Sequence, residues 1–210
     1  MLPPLKKTVV PDVQLWTDFQ QDDKDAFREI YERYSDMLLK YGLTIVSDRE
    51  LIKDCIQDLF IELWRLRQQL SAAKSVKFYL LISLRRLALE KSKKELKRQL
   101  SFKSIAISTA ENYERPVADK IDNKETAELH KQIFASAIKY LPMRQQEAVF
   151  LRFYEGLEYE EIGKIMKLDY QVLRNTICRA IKVLRANIEK TIVIDISGSM
   201  MPGNKMGVSR

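Results

Sequence analysis

Two cysteines and one histidine are all that a chain of 210 residues offers for thiol or imidazole chemistry. Cys55 and Cys178 lie far apart in helical patterns, with no second cysteine or histidine at metal-ligand spacing near either. Neither a disulfide framework nor a zinc cage can be built from them, and a reducing cytoplasm suits such a chain. His130, the lone histidine, falls on a polar helix flank and reads as a surface residue. Clustered carboxylates, a Gly-rich phosphate loop and a nucleophile beside a base are also missing, which argues against an enzyme and against a metal or other cofactor. No stretch approaches the roughly twenty apolar residues that span a bilayer, and MLPPLKKTVVPDVQ lacks the apolar run of a signal peptide. The expectation is a soluble, cytoplasmic chain without membrane insertion.

What is present is apolar filling and positive charge. At 46% apolar, 210 residues can fill the cores of one or two small domains. The net charge of +7 favours a polyanionic partner, and its distribution is local. Arg85, Arg86, Lys91, Lys93, Lys94, Lys97 and Arg98 crowd one short stretch, whereas residues 1–92 are almost balanced.

Prolines at 3, 4 and 11 make the first dozen residues a flexible arm. Helical periodicity begins near Asp22 or Asp23, predicting inward Phe27, Ile30, Tyr31, Tyr34 and Leu38, with Gly42 as a weak point. Ser47 or Asp48 caps a second helix that buries Leu51, Ile52, Cys55, Ile56, Leu59, Phe60, Leu63 and Leu66. Its other side carries Asp54, Gln57, Asp58, Ile61, Glu62 and Arg65, an acidic strip with one outward isoleucine. After a loop from Ser71 to Lys77, a third helix starts aromatic at Phe78 and Tyr79 and ends basic. That pairing suits nucleic acid, since rings stack on bases and cations hold the backbone. Residues 101–125 lose periodicity and turn polar and mildly acidic, as a linker does. Helix resumes near Thr126 through Leu129, Ile133, Phe134, Ala137, Ile138 and Leu141, and residues 191–210 read as a disordered tail.

From Leu141 to Arg185 the apolar residues fall in three helical blocks. The first is Ala148, Val149, Leu151 and Phe153; the second is Ile162, Ile165 and Met166. Pro142 fits the start of the first helix, Gly156 a left-handed stop, and Asp169 the N-cap of the third. This is helix-turn-helix spacing. With Leu173, Ile177, Ala180, Ile181 and Leu184 inward, the third helix presents Tyr170, Gln171, Val172, Arg174, Asn175, Arg179 and Lys182. Arg with Asn or Gln can pair with guanine and adenine edges in the major groove, and Arg179 and Lys182 suit phosphates. A three-helix packing unit with a solvated basic face is the plainer alternative.

Two stretches, DAFREIYERYSDMLLKYG with DRELIKDCIQDLFIELW, and LPMRQQEAVFLRFYEGLEYEEIGKIMKL with VLRNTICRAIKVLR, together carry a resemblance. The first pair resembles sigma domain two, and the second sigma domain four, of the extracytoplasmic-function (ECF) sigma factors of bacterial RNA polymerase. The segment YLLISLRR resembles the subgroup associated with iron-citrate-type surface signalling. The fold expected is all-α: domain two at 14–100, a flexible linker at 101–125, domain four with its helix-turn-helix at 126–190, and a tail at 191–210.

The resemblance implies a sigma factor that binds the RNA polymerase core through its β and β′ subunits and directs promoter recognition, strand opening and initiation. It assigns core binding to Asp54, Gln57, Asp58, Ile61, Glu62 and Arg65. Minus-ten DNA falls to Lys74, Ser75, Lys77, Phe78, Tyr79, Arg85, Arg86 and Lys91. Minus-thirty-five DNA falls to Tyr170, Gln171, Val172, Arg174, Asn175, Arg179 and Lys182. An anti-sigma factor is the further partner it implies. The sequence departs from the family pattern at Tyr79 for tryptophan, Leu84-Arg85-Arg86 for Ala-Arg-Asn, Glu158 for serine, Gly163 for alanine, Thr176 for arginine and Cys178 for histidine. A stand-alone helix-turn-helix regulator and a helical interaction protein are the competing functions; the first would need dimer symmetry and palindromic half-sites.

Overall fold

The computed structural model describes residues 10–73, 75–103, 138 and 140–198, and among these it is helical without strands. The first half comprises α1 (Asp12–Gln20), α2 (Lys24–Ile45), α3 (Arg49–Leu66) and α4 (Val76–Lys103). The second half comprises α5 (Met143–Val149), a π-helical turn (Phe150–Tyr154), α6 (Tyr159–Met166) and α7 (Tyr170–Gly198). The first three residues of the expected linker, 101–103, continue α4, while the rest of it and the helix around Leu129, His130, Ile133, Phe134 and Ala137 lie outside the described residues, as does Lys74.

Capping residues set the boundaries as the sequence indicates. Asp23 accepts from the N–H groups of Asp25 and Ala26, and Asp48 from those of Glu50 and Leu51, so each occupies orphan donors of a helix start. Gly156 ends the π-helical segment at φ +67°, a conformation that costs other residues about 1 kcal/mol or more.

α1 begins at the end of the stretch read as a loose arm and runs through residues to which the sequence reading gave no element. It has only nine residues, too few for periodicity to declare itself, yet it buries Leu15, Trp16 and Phe19. These three rings and chains complete the core that α2, α3 and α4 build from Ile30, Leu38, Ile52, Leu59, Leu63, Leu80 and Leu84. Trp16 Nε1 donates to the Ser71 carbonyl at 3.2 Å, and Gln20 donates to that of Leu70, so α1 also pins the loop before α4.

Three outward positions differ from the helical reading. Tyr31 is 46% exposed, because its ring lies edge-on to Phe60 at the margin of the core rather than in it. Phe153 is exposed because the π-helical turn advances the chain by an extra residue and shifts the phase set by Ala148, Val149 and Leu151. Ile181 is 38% exposed, at the edge of the stripe formed by Leu173, Ile177, Ala180 and Leu184. At the other end, α7 runs on to Gly198, through residues expected as disordered tail. The β-branched run TIVIDI lowers helix propensity without breaking it, and no glycine or proline intervenes before Gly198.

Gly42 does not weaken α2. It is buried against α3, where an added Cβ would stand 2.4 Å from Ile52 Cγ2, so the missing side chain is what lets the two helices meet. Gly42→Ala is expected to destabilise the fold by about 1–3 kcal/mol in urea titration, as overpacking does, and combining it with Ile52→Ala should give a loss smaller than the sum of the two.

Candidate nucleic-acid and protein interfaces

The helix-turn-helix is assembled by local hydrogen bonds. α6 starts where the Glu158 N–H donates to Glu161 Oε2 at 2.9 Å, so the substitution of glutamate for serine keeps a reciprocal capping contact. Arg152 Nη1 also pairs with Glu158 at 3.0 Å, tying the helix start to the preceding turn. α6 stops at Lys167, which adopts the left-handed conformation at φ +53°. The Leu168 N–H then folds back on the Gly163 carbonyl at 2.9 Å. A Cβ on Gly163 would lie 2.8 Å from the Leu168 oxygen, which accounts for glycine where alanine would otherwise serve. Asp169 accepts the Val172 N–H at 2.9 Å and caps α7.

On α7 the structure brings Tyr170, Gln171, Val172, Arg174, Asn175, Arg179 and Lys182 to the exposed side. Gln171 reaches Asn175 at 3.4 Å, a long contact easily exchanged for another partner. Thr176 turns its hydroxyl back to the Val172 carbonyl at 2.8 Å, so it contributes shape more than a free donor. Arg174, Arg179 and Lys182 form no ion pair with any described residue. A convex helix with outward cations and readily exchanged amides fits a polyanion whose groove carries donors and acceptors.

The second surface lies on α2 and α3. Asp54, Gln57, Asp58, Ile61 and Arg65 are exposed and Glu62 is half-buried; Ile61 is 58% exposed. Between the helices runs a groove whose walls include Phe27, Tyr31, Gln57, Phe60, Ile61 and Trp64. Tyr31, read from sequence as core, is therefore an addition to the patch, signalled only by its place at the edge of the apolar stripe. Arg65 and Glu62 approach each other at 3.6 Å. Asp58 is not free: its carboxylate binds Lys91 Nζ of α4 at 2.6 Å. Burial works against the charge of Lys91, but its hydrogen bond to Asp58 and the nearby Cys55, Asp58 and Asp54 raise its pKa above the ordinary lysine value. Cys55 is buried, and burial pushes its thiol up, which keeps it protonated and inert.

The third set is divided. Ser75, exposed, accepts the Phe78 N–H at 3.2 Å and starts α4. Phe78 is half-buried against the core, and Tyr79 meets Trp16 edge-on at 5.3 Å, so both rings serve packing with one face left outside. Arg86 is exposed. Lys77 and Arg85 have partners in the second half: Lys77 Nζ lies 2.8 Å from the Glu155 carboxylate, and Arg85 Nε 2.6 Å from Glu147 Oε1. Tyr41 Oη donates to the same Glu147 oxygen at 2.9 Å. Burial first, and then the charge and hydrogen bond of Glu147, push the Tyr41 phenol well above its usual pKa, so it stays a donor. Tyr41, Glu147 and Glu155 were not legible as a group, because their proximity depends on how the halves meet.

Among the described residues, no helix is long and apolar enough to cross a membrane. The family described as Sigma-70 region 2 matches residues 30–98, and that described as Sigma-70, region 4 matches residues 131–184. The chain is 30% identical over 178 residues to the ECF RNA polymerase sigma-E factor of Haemophilus influenzae, covering 81% of this chain and 91% of that one. It is 30% identical over 176 residues to the RNA polymerase sigma-H factor of Pseudomonas aeruginosa, covering 80% and 89%. Among solved structures, the fold is similar to the sigma factor RpoE of Bartonella quintana in complex with the anti-sigma factor NepR, with TM-score 0.62, 19% identity, and 80% of this chain and 98% of that one covered. It is also similar to CnrH in complex with the cytosolic domain of CnrY, with TM-score 0.55, 16% identity, and coverage of 85% and 97%. With both sigma regions in order and such relatives matched over nearly their whole length, this chain belongs to the ECF sigma factors.

Proposed function

We propose a residue-level division of labour for this sigma factor, a non-enzymatic subunit that binds core RNA polymerase and directs promoter recognition, strand opening and initiation. The observation that carries it is the free reading face of α7 on a chain whose α2–α3 groove carries an exposed isoleucine beside acids. α7 docks in the duplex at the minus-thirty-five element. Arg174 is placed for a guanine edge, Asn175 or Gln171 for adenine, and Arg179 and Lys182 for phosphates.

Ile61, Tyr31 and Gln57, flanked by Asp54 and Arg65, form the docking patch for the polymerase β′ subunit, where a small dry centre gives affinity and the charged rim gives steering. The loop before α4 and its first turns hold the separated minus-ten strand. Opening there is selective binding of the single-stranded form, in which stacking and backbone charge offset unpairing. An anti-sigma factor would act by covering these same surfaces, and the cytoplasm is where they operate. The YLLISLRR segment supports placement with the iron-citrate-signalling subgroup.

Run-off transcription with purified core polymerase on sheared genomic DNA tests the whole: discrete new transcripts are expected only when the chain is added. DNA retention without transcripts or co-elution with core would instead indicate a stand-alone regulator. Ile61→Asp is expected to weaken core binding by about 2 kcal/mol or more, as loss of an interface anchor does, while leaving the thermal midpoint unchanged because Ile61 is solvent-facing. Asp58 is a poorer probe, since its reversal would also set a cation beside Lys91. Arg174→Ala is expected to cut promoter affinity by about 1–3 kcal/mol and to relax preference at one base pair; an unaltered footprint and preference would show that this is not the reading face.

A further inference from the structure

Between α3 and α4 the chain from Leu70 to Ala73 forms no helix, and Ser71, Ala72 and Ala73 carry side chains too short to anchor it. Ser71 and Ala72 are exposed, so the shape of this stretch has to be set by its neighbours. The hold comes from α1 and the turn that ends it. Gln20 donates its amide to the Leu70 carbonyl, and Trp16 Nε1, on a side chain 2% exposed, donates to that of Ser71 at 3.2 Å. Asp22, left-handed at φ +69°, accepts from Arg67 and, at 2.9 Å, from Gln68. Aspartate is one of the few residues that adopt this conformation at modest cost. On the far side of the loop the Trp16 ring meets Tyr79 edge-on, with centroids 5.3 Å apart. Residues 16–22 therefore grip the loop from both flanks.

The direction of these bonds decides what the loop shows on its outer side. A trans peptide sets its N–H opposite its C=O. With the carbonyls of Leu70 and Ser71 drawn toward α1, the N–H groups of Ser71 and Ala72 point away from it, two successive donors with no side chain longer than serine around them. Phosphate oxygens and the acceptor edges of unstacked bases suit such donors, whereas outward carbonyls would repel them. Without a donor from outside, each peptide unit can turn about its flanking φ and ψ and exchange the one for the other.

We infer that Trp16 and Gln20 are positioning residues for base selection: from a helix that makes no DNA contact itself, they orient the peptide units after Leu70 and Ser71 so that the loop offers donors to the separated strand. The inference rests on the assignment of this loop to the minus-ten strand. Trp16 is buried and the Gln20 amide is spent on Leu70, so each acts through the loop. Asp22 steadies the same stretch through Arg67 and Gln68. α1 thus has two faces with separate tasks: Leu15 and Phe19 dock it on the core, and its donors shape the loop.

The test uses holoenzyme assembled from purified core polymerase and the full chain, offered a pool of randomised single-stranded oligonucleotides and sequenced after retention. Gln20→Ala, and Trp16→Phe, which keeps a ring against Tyr79 but removes the N–H, should each flatten the parent's preference at one base by about fivefold, the worth of one hydrogen bond. The double variant should flatten it further. Co-elution with core and retention of duplex DNA should be unchanged in all three. Leu15→Val is the structural control: it thins the packing of the same helix without removing a donor to the loop, so it should lower the urea midpoint and leave the preference as in the parent.

The inference is overturned if the Gln20 and Trp16 variants keep the parental preference, if they lose affinity for every sequence alike, or if Leu15→Val flattens the preference as much as they do. The loop assignment is checked separately by Ser75→Ala and Arg86→Ala, both on exposed residues away from α1. Weaker retention of the pool in these two, with the α1 variants selecting as the parent does, means that the minus-ten reading stands and the role of α1 does not. A pool retained without preference by the parent, and equally by Ser75→Ala and Arg86→Ala, means that the minus-ten assignment itself has failed.

Discussion

The carboxylate of Glu147 sits out of water at the junction of the two halves, and the rest of the structure is arranged so that it can. A carboxylate so placed is held only if donors meet it with good geometry. One donor is a phenol that burial keeps protonated; the other is a guanidinium anchored along α4. Their positions depend on packing further back. Gly42 lets α2 press against Ile52 of α3, which places the adjacent Tyr41 at the face where α5 arrives. The leucines of α4 fix the side from which Arg85 projects. A missing Cβ in the first domain thus bears on a charge in the second.

Charge is used in two ways along this chain. On α7, Arg174, Arg179 and Lys182 face solvent without an ion-pair partner among the described residues, a condition in which cations steer toward phosphates at long range and lose strength with salt. On α4, Lys77, Arg85 and Lys91 are each matched to a carboxylate, from Glu155, Glu147 and Asp58. These paired cations contribute little to the field around the chain, whatever their number suggests. The basic cluster that dominates the sequence is therefore a partly neutralised surface in the folded protein.

What could be read from the sequence follows from how local its cause is. Caps at Asp23, Asp48 and Asp169 need only neighbouring N–H groups, and the left-handed stop at Gly156 needs only its own φ, so all were legible. So was the outward face of α7, since helical period alone sorts Leu173, Ile177 and Ala180 from Arg174 and Asn175. The π-helical turn was not, because nothing in FLRFY announces an extra residue per turn; Phe153 was assigned to the wrong face for that reason. α1 was hidden by its brevity. Tyr41, Glu147 and Glu155 look like ordinary helix residues, and their roles arise from contacts between segments 62 to 106 positions apart.

The same contrast bears on the order in which a promoter could engage the chain. If α7 reads duplex DNA as proposed, its outward cations have no ion pair among the described residues to give up, and the long Gln171–Asn175 contact is easily exchanged. If Arg85 and Lys77 hold a separated strand as proposed, two carboxylates must first leave them, and each departure is favourable only if a phosphate or water replaces it at once. On the proposed assignment, duplex contact at α7 is the easier first event, and it raises the local concentration of the adjacent DNA for the slower exchange at α4.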